Sequence, residues 1–221
     1  SPAVAELDVD PPVPRGLLVD WGGVLTTDVF VSFQQFCRNE GLDQTVVRDL
    51  FRSDPEGRRT LFALETGELT EPEFEERFAE LLGLRPDRAP GLIDRLFGGM
   101  KADIVMFDAV RAAKRSGLRT GLLSNSWGVD RYDRSHFPEL FDAVVISGEE
   151  GIRKPDRAIY ELAVARMELP AGDIVFVDDL PGNLKPARDL GMTTVHHENG
   201  LHTVSQLEHL FHVPLRSGTA R

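Results

Sequence analysis

The 221-residue sequence has one cysteine, Cys37, which excludes an intrachain disulfide and fits a reducing compartment. Cys37 lies among Val31, Phe33 and Phe36, so a small buried apolar residue is expected there, not a reactive thiol. No run approaches the roughly eighteen apolar residues that a membrane span needs. The first residues lack a basic region followed by an apolar stretch, so no secretory signal is expected and a cytoplasmic location is. Positive charge is scarce. A net charge of −11 excludes nonspecific binding to nucleic acid or to an acidic membrane, both of which require clustered basic residues. It does not exclude a phosphorylated substrate, because a metal ion or a lysine can reverse the field within one cleft. What is present in quantity is apolar side chain, 41% of the residues, enough for a proper core.

Residues 1 to 14 contain Pro2, Pro11, Pro12 and Pro14 and are expected to form a poorly ordered leader. Gly16-Leu-Leu-Val-Asp20 is a short apolar run that ends in a carboxylate and meets Gly22-Gly23, the pattern of a buried parallel strand followed by a turn. Residues 28 to 103 have helical periodicity and no strand. Within them Thr70-Glu-Pro-Glu73 is a strong helix start, with Phe74, Phe78, Leu81 and Leu82 forming the apolar face.

Beyond residue 103 helix and strand alternate. Strands are expected at Leu118–Leu123, Ala143–Ile146, Ile174–Val177 and Met192–Val195, and helices at 104–116, Pro155–Arg166, up to Leu190, and 203–211. Such alternation predicts an α/β fold, a Rossmann-like parallel sheet with helices on both faces. The expected division is a core of residues 15–27 and 104–213, a helical cap of 28–103 inserted after the first strand, and a tail of 214–221.

Asp20, Ser124 and the pair Asp178-Asp179 each fall at the C-terminal end of an expected strand, where open α/β sheets bind ligands. Three clustered carboxylates repel by about 4 kcal/mol per close pair at an effective dielectric near 20. Positive charge must therefore sit among them. Hard oxygen donors suit Mg²⁺, and Lys154 is a fixed cation ahead of the expected Pro155 helix. The Ser124 hydroxyl and the Asn125 backbone N–H can donate to phosphoryl oxygens.

These residues resemble the four motifs of the haloacid dehalogenase superfamily of phosphohydrolases, in order. They are Leu-Leu-Val-Asp20-Trp-Gly-Gly-Val-Leu-Thr, Leu-Leu-Ser124-Asn125, Arg-Lys154-Pro-Asp-Arg-Ala-Ile-Tyr, and Phe-Val-Asp178-Asp179-Leu-Pro-Gly-Asn183. The last motif, with its continuation Leu-Lys-Pro-Ala-Arg-Asp-Leu-Gly-Met, is similar to that of the N-terminal phosphatase domain of soluble epoxide hydrolases. The resemblance implies a nucleophile at Asp20, phosphoryl binding by Ser124 and Asn125, and stabilisation of the nucleophile and developing charge by Lys154. It implies Mg²⁺ held by Asp20, the Gly22 carbonyl and Asp179, with Asp178 orienting Lys154 or a metal-bound water and Asn183 supporting the loop. Trp21 and Trp127 each neighbour a motif and are expected either to wall the pocket or to pack in the core. The implied substrate is a small phosphorylated metabolite, handled by a monomer or homodimer.

The pattern breaks at Gly22, where the family usually has a second Asp as general acid and base. Three expectations follow: a phosphatase for esters with good leaving groups or with a donor from the cap or substrate; a catalytically weak binding or regulatory module; or, less favoured because the Asp178-Asp179 pair is present, a metal-independent dehalogenase. Phosphonoacetaldehyde hydrolase chemistry requires a cap lysine, and residues 22 to 99 contain none. Arg52, Arg58 and Arg59 could meet a second anionic group, although exposed helix arginines are commoner. The spacing of His196, His197, His202, His209 and His212 matches no familiar metal set.

Overall fold

The computed structural model describes residues 10–128 and 131–217. Most of the leader and residues 218–221 of the tail thus lie outside the described residues, and residues 10–15 have no regular secondary structure. Five strands, β1 (Gly16–Val19), β2 (Arg119–Ser124), β3 (Ala143–Ile146), β4 (Ile174–Asp178) and β5 (Thr193–His196), form one parallel sheet in the order β3-β2-β1-β4-β5. The first strand is therefore central, and the chain order reverses on either side of it. That reversal opens a crevice at the C-terminal edge, next to Asp20.

The helices are α1 (Val29–Asn39), α2 (Val46–Arg52), α3 (Pro55–Glu65), α4 (Glu71–Leu81), α5 (Leu92–Leu96), α6 (Ile104–Arg115), α7 (Phe137–Leu140), α8 (Ser147–Glu150), α9 (Arg157–Met167), α10 (Pro181–Asp189) and α11 (Gly200–Phe211). Alternation along β1 divides the core. Leu17 and Val19 pack with Met106, Leu140, Val204 and Phe211 from α6, α7 and α11, whereas Leu18 packs with Ile159, Ala163 and Leu184 from α9 and α10. A sheet buried on both faces explains why its strands are continuous apolar runs.

The segment between β1 and α6 forms α1 to α5 around its own core, in which Phe33, Phe36, Val47, Leu64, Phe74, Phe78, Ile93 and Leu96 are buried. Cys37 is buried there, as its neighbours predict. The Thr70 hydroxyl accepts from the Glu73 N–H at 3.3 Å at the start of α4. The insert leaves and rejoins the core through a short antiparallel bridge, Thr26 to Ala102, reinforced by Thr27 N–H to Lys101 O at 2.8 Å and Asp103 N–H to Leu25 O at 2.9 Å.

Several elements differ from the sequence pattern, most of the strands by a single residue at an end. Helix α9 begins at Arg157 and not at Pro155, because Asp156, at the N-cap position, has an extended backbone. Lys154 therefore lies in the preceding turn, two residues before the cap. Helix α11 begins at Gly200, because the Asn199 side chain accepts from the His202 N–H at 2.9 Å and adds a turn. Helix α3 has no counterpart among the expected elements. Asp54 caps it by accepting from the Gly57 N–H at 2.8 Å, and Pro55 occupies its first turn.

Candidate active site

The three carboxylates are brought together by register alone. Asp20 follows β1, Asp178 ends the adjacent β4, and the Asp20 N–H donates to Val177 O at 3.0 Å. Asp20, Asp178 and Asp179 each present an oxygen within 4.8 Å of the others. Lys154 enters from the other side. Its Nζ lies 3.1 Å from Asp20 Oδ1 and 2.7 Å from Asp178 Oδ2, and donates to Leu123 O at 3.0 Å. With all three of its bonds directed, this ammonium is only 1% exposed.

Asp178 is fully buried and has no oxygen to spare. Besides Lys154, it accepts from the Leu180 N–H at 2.9 Å and from Asn183 Nδ2 at 3.3 and 3.4 Å. Asn183 is fixed in turn by Tyr160, whose hydroxyl donates to Asn183 O at 2.6 Å. Asp20 receives the Trp21 N–H at 2.8 Å through the oxygen that faces Lys154.

The electrostatics follow from burial and crowding. Burial pushes the Asp20 carboxyl up to about 7, against the pull of Lys154 and with Asp178 adding to it. Asp179 is pushed up to about 8 by burial and by the charges of Asp20 and Asp178. Lys154 is held above the ordinary lysine range despite burial, because Asp178 and Asp20 flank it. One lysine thus leaves the carboxylates under-neutralised. The donor set, hard oxygens only, fits Mg²⁺. The backbone keeps room for it: Gly23 has φ of 81°, and a Cβ there would run into the Asp179 carboxylate. Gly22 has no positive φ, and a Cβ there would meet only Val29, at 3.2 Å.

The second motif is held tightly. Asn125 and Lys154 are clasped through the Asn125 amide, whose Oδ1 accepts the Lys154 N–H at 2.8 Å while its Nδ2 donates to Lys154 O at 3.0 Å. The Ser124 hydroxyl, 2.7 Å from the Tyr132 hydroxyl, lies on β2 beside β1. Burial holds the Tyr132 phenol above its ordinary range, so it stays protonated.

The two tryptophans have different surroundings. Trp21 stacks edge-on against Phe107 at 5.4 Å and Tyr132 at 5.3 Å, on the core side. Trp127, only two residues beyond Asn125, leaves the core and enters the insert's aromatic cluster, 4.8 Å from Phe97, 5.3 Å from Phe74 and 5.5 Å from Phe51. Arg131 makes a second bridge, to Glu71 at 2.5 Å and Asp94 at 2.6 Å.

Of the arginines, Arg52 lies over the Phe30 ring and Arg59 pairs with Glu56. Arg58 lines a cleft of about 600 Å³ at the seam with Phe62 and Arg153, whose lining does not include Asp20, Ser124 or Asp179. No histidine among the described residues belongs to a group that could hold a metal ion. His196 meets Asp179 O at 3.0 Å, and His197 is buried against Thr203. Sequence reasoning passed over Tyr132, Arg153 and Glu65. The last is a buried carboxylate of α3 whose Oε1 accepts from Arg153 Nε at 3.0 Å.

No helix among the described residues is long and apolar enough to cross a membrane. A bifunctional epoxide hydrolase 2 from Sus scrofa is 32% identical over 111 residues, 47% of this chain, which spans only 20% of that relative's length. The sesquiterpene phosphatase AstK of Aspergillus oryzae is 25% identical over 200 residues, covering 89% of this chain and 96% of that one. A Bacteroides thetaiotaomicron enzyme of the same fold, solved in complex with magnesium and inorganic phosphate, superposes with a TM-score of 0.61 at 20% identity over 84% of this chain and 94% of that one. Residues 14–191 match the haloacid dehalogenase-like hydrolases, and with its parallel sheet, inserted helical cap and strand-end carboxylates the chain belongs to that family.

Proposed function

We propose that the chain hydrolyses a small phosphate monoester in a Mg²⁺-dependent reaction, with Asp20 as the nucleophile. The observation that carries this reading is the Asp20–Lys154–Asp178 chain, with Asp179 beside it at the edge of β1 and β4. Asp20 Oδ1 is held by Lys154 and the Trp21 N–H, which leaves Oδ2 to attack phosphorus. Asp179, Asp20 and the Gly22 carbonyl would hold Mg²⁺, while Asp178 serves to aim Lys154. When bound, Mg²⁺ supplies charge that offsets the crowded carboxylates and draws a phosphate oxygen to the site.

Ser124 and the Asn125 N–H bind the phosphoryl group, and Lys154 stabilises the charge that develops on it. The cap covers the site and excludes water. The substrate is a small phosphorylated metabolite, a reading that the named activity of the Aspergillus relative supports. Gly22 favours a second reading, a weakly catalytic binding module, because it removes the usual acid and base. Phosphate release from a panel of monoesters, with Mg²⁺ or with EDTA, separates the two. Mg²⁺-dependent release supports the hydrolase, and a folded chain that binds Mg²⁺ and releases nothing supports the module.

A further inference from the structure

A phosphatase of this design needs a proton for the leaving oxygen, and Gly22 cannot give one. For an ester with a poor leaving group, the donor then comes from the cap or from the substrate itself. Glu65, in the last turn of α3, is 5% exposed at the seam between cap and core. Its Oε1 accepts from Arg153, the residue just before Lys154, and Lys154 itself touches Asp20. Its Oε2 makes no hydrogen bond among the described residues. Every fully buried polar side-chain atom there has a partner, so Oε2 is not completely sealed from solvent. Next to it, Gly67 packs directly on Gly148 O, which seats this end of the cap on the core.

We propose that Glu65 is the general acid and base that Gly22 lacks, reaching the leaving group from the cap. The inference rests on the phosphatase reading above. As Asp20 forms its bond to phosphorus, the bond from phosphorus to the ester oxygen breaks, and that oxygen takes the proton from Glu65. The Glu65 carboxylate then takes a proton from the water that cleaves the aspartyl-phosphate. Alcohol and phosphate leave, and both Asp20 and Glu65 return to their starting states.

Burial pushes the Glu65 carboxyl up to about 7, against the pull of Arg153 and Lys154 and with the charge of Asp20 adding to the rise. At neutral pH it is both protonated often enough to donate and basic enough to be recharged. Arg153 lies 3.8 Å over the Phe62 ring, which fixes the guanidinium that holds Oε1 and so the direction of Oε2.

The test is the dependence of kcat/KM on leaving-group pKa, across a series running from p-nitrophenyl phosphate to alkyl phosphates. The intact chain should show a shallow dependence, because the acid neutralises the departing alkoxide. Glu65→Gln should steepen it, with alkyl esters losing about 10²–10⁴-fold and p-nitrophenyl phosphate losing far less. Adding Gly22→Asp to Glu65→Gln should restore part of the alkyl activity, since Val29 alone crowds a side chain there. A steep dependence in the intact chain, or an equal loss on every ester in Glu65→Gln, overturns the role of Glu65 and leaves the phosphatase reading standing. No hydrolysis of any ester by the intact chain overturns both.

Discussion

The Trp127 indole lies perpendicular to the Phe97 ring with centroids 4.8 Å apart, so a residue from the segment that follows β2 is packed inside the cap. Opening the cap must either withdraw Trp127 or pull on the loop that carries Ser124 and Asn125. Trp127→Ala should cost about 3–5 kcal/mol, the range for deleting a large aromatic side chain. Trp127→Phe, which refills part of the space, should cost less. Limited proteolysis at the bridge between Thr26 and Ala102 checks the effect, with faster cleavage and weaker phosphate binding expected for Trp127→Ala.

Asp179→Asn removes one of three crowded carboxylates while leaving Lys154 and Asp178 paired. Without divalent cation the variant should be more stable than the parent. A gain of about 1 kcal/mol corresponds to about 2–4 °C in Tm for a chain of this size. Mg²⁺ should raise the Tm of the parent and leave that of the variant unchanged. Thermal denaturation with and without Mg²⁺ measures both.

Gly23→Ala and Gly22→Ala should behave differently. The first places a methyl group against the Asp179 carboxylate at a φ of 81°, which costs about 1–2 kcal/mol for an L-residue and displaces a carboxylate proposed to hold Mg²⁺. The second meets only a Val29 methyl at 3.2 Å. Mg²⁺ affinity, followed by calorimetry, should fall at least tenfold for Gly23→Ala and stay within a few-fold for Gly22→Ala.

Glu40 makes the cap acid-sensitive. Its carboxylate accepts from Arg88 at 2.5 Å and from Arg95 at 2.8 Å, and these partners hold it below the ordinary Glu range. The folded form therefore binds its proton more weakly than the unfolded chain does. This contribution is complete above the unfolded value of 4.5 and is lost as pH falls through the depressed folded value. Glu40→Gln should destabilise the chain by about 1–3 kcal/mol at neutral pH and flatten the stability profile below pH 4.5. Denaturant titrations across that range measure the difference.

The parts of the fold that were legible in the sequence are those governed by local pattern. Leu17-Leu18-Val19 must be buried on both faces, and Asp20 ends the run, so strand and site residue are read together. Helix α3 was not legible because Gly57, Arg58 and Arg59 interrupt its apolar spacing, and its cap at Asp54 stands without a long apolar face. Glu65 looks like any helix carboxylate. Its burial depends on Arg153, 88 residues away, and no local signal encodes that distance. Tyr132 escaped for the same reason, since its place beside Ser124 is set by how the loop after β2 folds back. Trp127 stood next to a motif, but only the folded insert shows which core it joins.

The central claim is that Asp20 carries the phosphoryl group. A single-turnover reaction with Mg²⁺ and the best ester, quenched in acid and digested, reports this directly by peptide mass. The account predicts a phosphoryl adduct on the peptide that contains Asp20, and neither adduct nor turnover in Asp20→Asn. Hydrolysis at the parent rate by Asp20→Asn, with no adduct on that peptide in the parent, would contradict it.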